Sequence, residues 1–204
     1  RSSDLVVWLK STGSGGKGIN VDTEANFCGG NVYIVTEGGQ YKSNNDTSSP
    51  KGIKADGNIN ISGGTIWVRT NGYNGEGIET KSTMNISGGE VASYAYDDAI
   101  NSKSDMTITG GYIYAQGKNN DGLDANGNIY LKGGLVYAIC SGSPEVAIDA
   151  NTEGGKGYHG VHRVTASGHA ETYVTCTLKN QCDGLDKVFG TFLHSDTSEE
   201  GDNL

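Results

Sequence analysis

Residues 76–95 read EGIETKSTMNISGGEVASYA. Met84 and Ile86 alternate with polar neighbours, a diglycine follows at Gly88-Gly89, and Val91 and Ser93 then resume the alternation. A period of two on each side of a diglycine predicts two short strands joined by a bend. The same phase recurs as Ile59, Ile61, Ile66 and Val68 in the preceding unit. It recurs again as Met106, Ile108, Ile113 and Ala115, then as Ile129, Leu131, Val136 and Ala138. Glycine at the bend supplies a positive φ or a close backbone approach.

The frame extends in both directions. Diglycines begin at Gly29, Gly63, Gly88, Gly110 and Gly133, each 11 residues after a small residue followed by Ile or Leu. Those dipeptides are Gly18-Ile19, Gly52-Ile53, Gly77-Ile78, Ala99-Ile100 and Gly122-Leu123, and a partial sixth unit carries Ala147-Ile148. The steps between diglycines are 34, 25, 22 and 23 residues. A constant segment with variable insertions is the mark of a solenoid whose coils bulge on one side. Coils of about 22–25 residues with three short strands predict an all-β, right-handed parallel β-helix. Leucine-rich repeats need a Leu-rich consensus and a helical segment, and an antiparallel sandwich would not align its residues in columns. The repeats occupy residues 1–155, and residues 156–204 form a C-terminal coil or cap of the same domain.

Composition narrows the partners. Glycine is 33 of 204 residues, more than twice the usual ~7%. Net charge is −9, which disfavours nucleic acid and anionic lipid and suits a cation-bridged acidic ligand. No run of ~20 apolar residues spans a membrane. A start at Arg1 without an apolar leader leads us to expect a processed or trimmed chain. Cys28, Cys140, Cys176 and Cys182 show no CxxC spacing. Cys28 and Cys140 lie four coils apart, about 19 Å at ~4.8 Å per coil, too far to bond. Cys176 and Cys182 could close a short loop.

The columns also order the charges. Counting from the small residue as position 0, position −1 reads Lys17, Lys51, Glu76, Asp98, Asp121. Position +2 reads Asn20, Lys54, Glu79, Asn101, Asp124, Asp149, and Asp97, Asn120 and Glu145 stand at −2. Burying such residues in an apolar core is too costly, so this corner is expected to be exposed, with the chain turning between −1 and +1. Carboxylates one coil apart sit about 5 Å from each other and repel by roughly 3 kcal/mol at an effective dielectric near 20. Calcium–oxygen distances of about 2.3–2.6 Å put opposite ligands about 5 Å apart, so the coil spacing suits Ca²⁺ bridging. The expected ligands are Glu76, Glu79, Asp97, Asp98, Asn101, Asp121 and Asp124. The competing reading is a solvated acidic edge.

Out of phase with the core residues, one column reads Tyr33, Trp67, Ala92, Tyr114, Tyr137, with Tyr112, Tyr94 and Tyr130 on neighbouring columns. An outward row of Tyr and Trp is an amphipathic platform on which sugar rings pack, or else a ladder that only stabilises the sheet. We take Tyr33, Trp67, Tyr112, Tyr114 and Tyr137 as the carbohydrate-binding candidates.

No catalytic constellation stands out. His159, His162, His169 and His194 fall outside the repeats and in no HExxH or nucleophile motif. A calcium-assisted lyase would need a base to take the α-proton, and Lys103 and Lys81 stack at position +4 near the acidic corner. The favoured reading of both lysines is salt-bridging to the acidic columns.

The runs KGIKADGNINISGG (51–64), GEGIETKSTMNISGG (75–89), DDAINSKSDMTITGG (97–111), NDGLDANGNIYLKGG (120–134) and PEVAIDANTEGG (144–155) resemble a known family. It is that of secreted bacterial carbohydrate-binding β-helix domains with a pectate-lyase-like fold. The resemblance covers about residues 12–155. It implies calcium at the matching acidic positions and at Asn120, binding to pectic or cellulosic polysaccharide such as polygalacturonate or cellulose, no clear lyase activity, and an extracellular or bacterial cell-surface location. The alternatives kept open are a calcium-dependent pectate-type lyase and a structural adhesin or spacer.

Overall fold

The computed structural model describes residues 5–142, 145–150, 164–166 and 174–175. Sixteen strands and no helix occur among them: β1 (Val6–Ser11), β2 (Lys17–Val21), β3 (Ala25–Thr36), β4 (Tyr41–Ser43), β5 (Asp46–Ser48), β6 (Lys51–Ala55), β7 (Ile59–Thr70), β8 (Glu76–Thr80), β9 (Met84–Ala95), β10 (Ile100–Ser102), β11 (Met106–Gly117), β12 (Leu123–Ala125), β13 (Ile129–Cys140), β14 (Ile148–Ala150), β15 (Val164–Ala166) and β16 (Val174–Thr175). Two parallel sheets run along the axis. The long sheet has the order β1-β3-β7-β9-β11-β13-β15, with β16 also on β13, and the short sheet the order β14-β12-β10-β8-β6-β2. Stacked in this way, they make a parallel β-solenoid of about six turns. The expected solenoid and its column register are therefore the observed ones. Ile53 pairs with Ile78, Ile78 with Ile100, Ile100 with Leu123 and Leu123 with Ile148.

The diglycine segment differs in one respect from the expectation of two short strands. Each is a single strand of 12 residues that bends at a bulge, as in β9, Met84–Ala95. Pairing between β11 and its neighbours shifts register on either side of the glycines, between Ile108 and Tyr112. The second glycine of every pair has a positive φ, from 79° at Gly30 to 95° at Gly111. A Cβ on Gly64 would also lie 2.5 Å from the Gly30 carbonyl oxygen, so both conformation and coil stacking demand glycine there.

Position 0 is small for a different reason. A Cβ on Gly52 would meet Val68 at 2.1 Å, and one on Gly77 would meet the Ser93 hydroxyl at 1.9 Å. The residue points into the core against the long sheet. Ala99, with no positive φ, is fully buried in the same column. The core is filled by the Ile, Val, Leu and Met columns of both sheets, Ile34, Ile53, Ile59, Ile78, Met84, Ile100 and Met106 among them. The 34-residue first step is accounted for by an antiparallel hairpin, β4 paired with β5, that stands out of the coil. Cys28 is exposed, Cys140 is buried, and no disulfide joins them. Cys176, Cys182, the four histidines and most of the C-terminal region lie outside the described residues.

Candidate metal and carbohydrate sites

The bend at the corner decides where its charges go. Positions 0 and +1 both turn inward, so positions −1 and +2 emerge together on the outer side and converge. The acidic corner is therefore not an exposed edge, contrary to the expectation from alternation. Glu79 is 4%, Asp98 5% and Asp121 4% exposed. They are buried in a polar corner rather than in the apolar core, where hydrogen-bond donors and, for Glu79, lysines offset part of the desolvation cost. Asn101 donates to Asp98 across the bend at 3.1 Å, and the Asp121 backbone N–H donates to Asp98 at 3.0 Å from the next coil. The Val146 N–H donates to Asp121 at 2.8 Å.

Charge divides this corner into two parts. In the first, the Lys51 ammonium sits between the carboxylates of the third coil, ion-paired with Glu76 and, at 3.1 Å, with Glu79. Glu79 also pairs with Lys81. Burial pulls the Lys51 ammonium down, but the two glutamates outweigh it and hold the group above its ordinary value. Burial pushes Glu79 up, and the two lysines outweigh that and hold it below the ordinary range. Glu76, without a second lysine and with Glu79 beside it, stays raised by burial despite Lys51. Glu76 and Glu79 are thus occupied by a built-in cation. These two expected ligands are ion-paired with lysine, and the remaining carboxylates of the corner stand apart from them in charge.

In the second part no lysine is ion-paired with Asp98, Asp121 or Asp124 among the described residues. One ligand atom each from Asp121, Asp124 and Asp149 lies within 4.8 Å of the others. Burial first, then Asp124, Asp149 and Glu145, push Asp121 up to about 8, against the opposing Val146 N–H. Burial first, then Asp149, Glu76, Asp97 and Glu145, push Asp124 up to about 7. Asp98 is raised well above the ordinary range by burial and by Asp124, Asp97, Glu76 and Asp121. Asp97 is raised by burial, with Asn120 and Lys51 opposing. Every shift in this part says that negative charge is poorly compensated. Of the expected set, the structure brings Asp98, Asn101, Asp121 and Asp124 together and places Asp97 and Asn120 at their edge. Asp149, which the column showed but the ligand set omitted, completes the tightest group.

The donor set fits calcium. Oxygen ligands at about 2.3–2.6 Å from one ion lie at most about 5 Å apart, and the three aspartates satisfy that limit. Lys81 is held by Glu79, as the salt-bridge reading expected, and Lys103 is exposed with no ion pair among the described residues.

The aromatic column is in register across the long sheet: Trp8, Tyr33, Trp67, Ala92, Tyr114, Tyr137. Trp8 precedes the first diglycine, which is why the repeat frame missed it; the alternation Val7-Trp8-Leu9 was the available signal. It is 71% exposed and stacks on Tyr33 with ring centroids 4.2 Å apart and planes 14° from parallel. Tyr33 and Trp67 are half-buried. Tyr114 is not part of an exposed platform, because it is only 2% exposed. It packs with Ala92 and Ile139, donates to Gln116 and stacks on Tyr137 at 5.6 Å. Tyr112 is exposed one column away, opposite Glu90 and Leu135. The open part of the stripe is its Trp8–Tyr33–Trp67 end.

Asparagines make a second ladder that sequence reasoning passed over. Asn60 donates to Asn26, and Asn85 to Asn60, both at 2.9 Å, three residues before each diglycine pair. Side-chain amides stacked at coil spacing satisfy each other along the axis.

Comparison with known proteins places these features. A family model described as carbohydrate-binding domain-containing protein matches residues 10–74 and, again, 69–120. No curated protein and no solved structure matches the chain. The two matched stretches overlap and together span more than half of the 204 residues, over the coils that carry the aromatic stripe and the Lys51-filled corner. The chain therefore belongs to the carbohydrate-binding domain-containing family.

Proposed function

We propose that this domain is a non-catalytic, calcium-containing module that binds plant polysaccharide, pectic or cellulosic, outside the cell or at a bacterial cell surface. The observation that carries the calcium is the convergence of Asp121, Asp124 and Asp149, three carboxylates with mutually close oxygens. Asp98 and Asn101 would supply further oxygens nearby. A bound ion would neutralise the group and lock the last coils to one another. The carbohydrate surface is the Trp8–Tyr33–Trp67 end of the stripe, where Trp8 is exposed and stacked on Tyr33, and sugar C–H faces can pack on the ring surface left open.

A lyase needs an available base beside the metal. Lys81 is committed to Glu79, so that reading rests on Lys103 alone, while the family match favours binding. Glycan-array binding, in calcium and in EDTA, tests the proposal. Binding to pectic or cellulosic polymers should weaken on Trp8→Ala or Trp67→Ala. Absence of binding to every plant glycan in calcium would refute it.

A further inference from the structure

The turns that follow β7 and β9 carry a second aromatic group, away from the stripe. Tyr73 is 56% exposed, and its ring meets that of Tyr96 with centroids 5.3 Å apart, tilted by 60°. The turns are well tied. Asn74 takes a positive φ of 56°, the Asp97 N–H donates to the Gly75 carbonyl at 2.9 Å, and Asn119 Nδ2 donates to the Tyr96 carbonyl at 3.2 Å. The Lys118 ammonium lies over the Tyr96 ring, 5.7 Å from its centroid. Lys118 stands one coil beyond Tyr96, its N–H bonded to Ala95 as that of Tyr96 is bonded to Thr70.

This trio sits at the lip of the acidic corner. Tyr96 is followed directly by Asp97 and Asp98, and Lys118 precedes Asn119, Asn120 and Asp121. In a chain of net charge −9, Lys118 has no ion pair among the described residues and is exposed. An ammonium held over a ring beside open aromatic surface is positioned for an anionic group on a ring-shaped ligand.

We propose that Tyr73, Tyr96 and Lys118 form a sugar subsite for uronic-acid residues, distinct from the outer stripe. A pyranose stacks its C–H face on Tyr73, and its carboxylate pairs with Lys118. This rests on the reading of the domain as a polysaccharide-binding module. A neutral sugar gains the aromatic contact alone, so the subsite favours acidic over neutral glycan.

The test is titration calorimetry on the full chain in calcium buffer, with a galacturonate oligomer and a cello-oligomer of equal length. Tyr73→Ala should weaken galacturonate binding about tenfold. Lys118→Gln should weaken it about fivefold, flatten its salt dependence, and leave cello-oligomer binding unchanged. Both side chains lie on the surface, and circular dichroism checks that the variants remain folded. If the wild-type chain binds galacturonate and both variants match it in affinity and salt dependence, the subsite is refuted and the module reading stands. If it binds only the neutral oligomer, the subsite again falls alone. If it binds neither oligomer nor any other plant glycan, both readings fall.

Discussion

Replacing Lys51 by methionine tests whether the corner depends on a cation in each coil. The side chain is nearly isosteric but loses the ammonium that lies between Glu76 and Glu79. Lys51 is 9%, Glu76 14% and Glu79 5% exposed at the side chain, so this is a buried ion triad rather than a surface bridge. Removing one partner of a buried pair costs about 3–5 kcal/mol, because the remaining charge stays desolvated. Glu79 keeps Lys81, so the lower end, about 3 kcal/mol, is the expected loss. With a urea dependence of about 1–3 kcal/mol per molar, the unfolding midpoint in EDTA should fall by at least about 1 M. The loss should shrink at acid pH, where Glu76, already raised by burial, takes up a proton. Calcium should recover part of it, since the variant leaves the Glu76 carboxylate without its lysine beside the acidic group. A midpoint change worth less than about 1 kcal/mol in EDTA would refute this reasoning and class Lys51 with ordinary surface pairs.

Two further outcomes follow from the same geometry. Asp121 and Asp124 have folded values of about 8 and 7, above the ~3.9 of an unfolded Asp. The folded state then holds protons that the unfolded state releases. Stability in EDTA should therefore fall as pH rises from about 4 to about 8, and thermal melts across that range check it. Glu79, held below its ordinary value, works in the opposite sense, with a contribution lost only as pH falls through its folded value. Calcium should raise the melting temperature most at the alkaline end, and a flat or rising profile in EDTA would contradict the electrostatic account. At the diglycine, Gly64→Ala should destabilise by about 1–3 kcal/mol through its φ of 87° and the 2.5 Å approach to the Gly30 oxygen. Gly63→Ala, whose Cβ would lie 3.0 Å from the Cys28 oxygen with no positive φ, should cost less in the same urea titration.

The fold was legible because the 11-residue step fixes register, and register is what a parallel solenoid is made of. The pairings Ile78–Ile100 and Ile113–Val136 follow from the diglycine frame alone. Glycine at 30, 64, 89, 111 and 134 signalled a bend, which is a bulge within one strand, whereas the small residue at position 0 marked the turn at the corner without showing its contact with the opposite sheet. The acidic columns were equally visible. Their burial was not, because simple alternation along a strand cannot express a bend that turns two successive residues inward and gathers their neighbours outside. Nor could the columns show that the Lys51 ammonium reaches one coil on to neutralise Glu76 and Glu79. Trp8, Tyr73 and Tyr96 escaped for a different reason. They sit before the first diglycine or in the turns of variable length, where the repeat frame assigns no column. Tyr114 was correctly placed on the outer face, yet packing with Ala92 and Ile139 closes it off.

Calcium titration of the EDTA-stripped chain, followed by calorimetry, addresses the central claim most directly. The account predicts saturable binding to the wild type, unchanged in Glu76→Gln and weakened at least about tenfold in Asp121→Asn/Asp124→Asn, about 1.4 kcal/mol or more. Wild-type protein that takes up no calcium, or a double variant that binds as the wild type does, would contradict it.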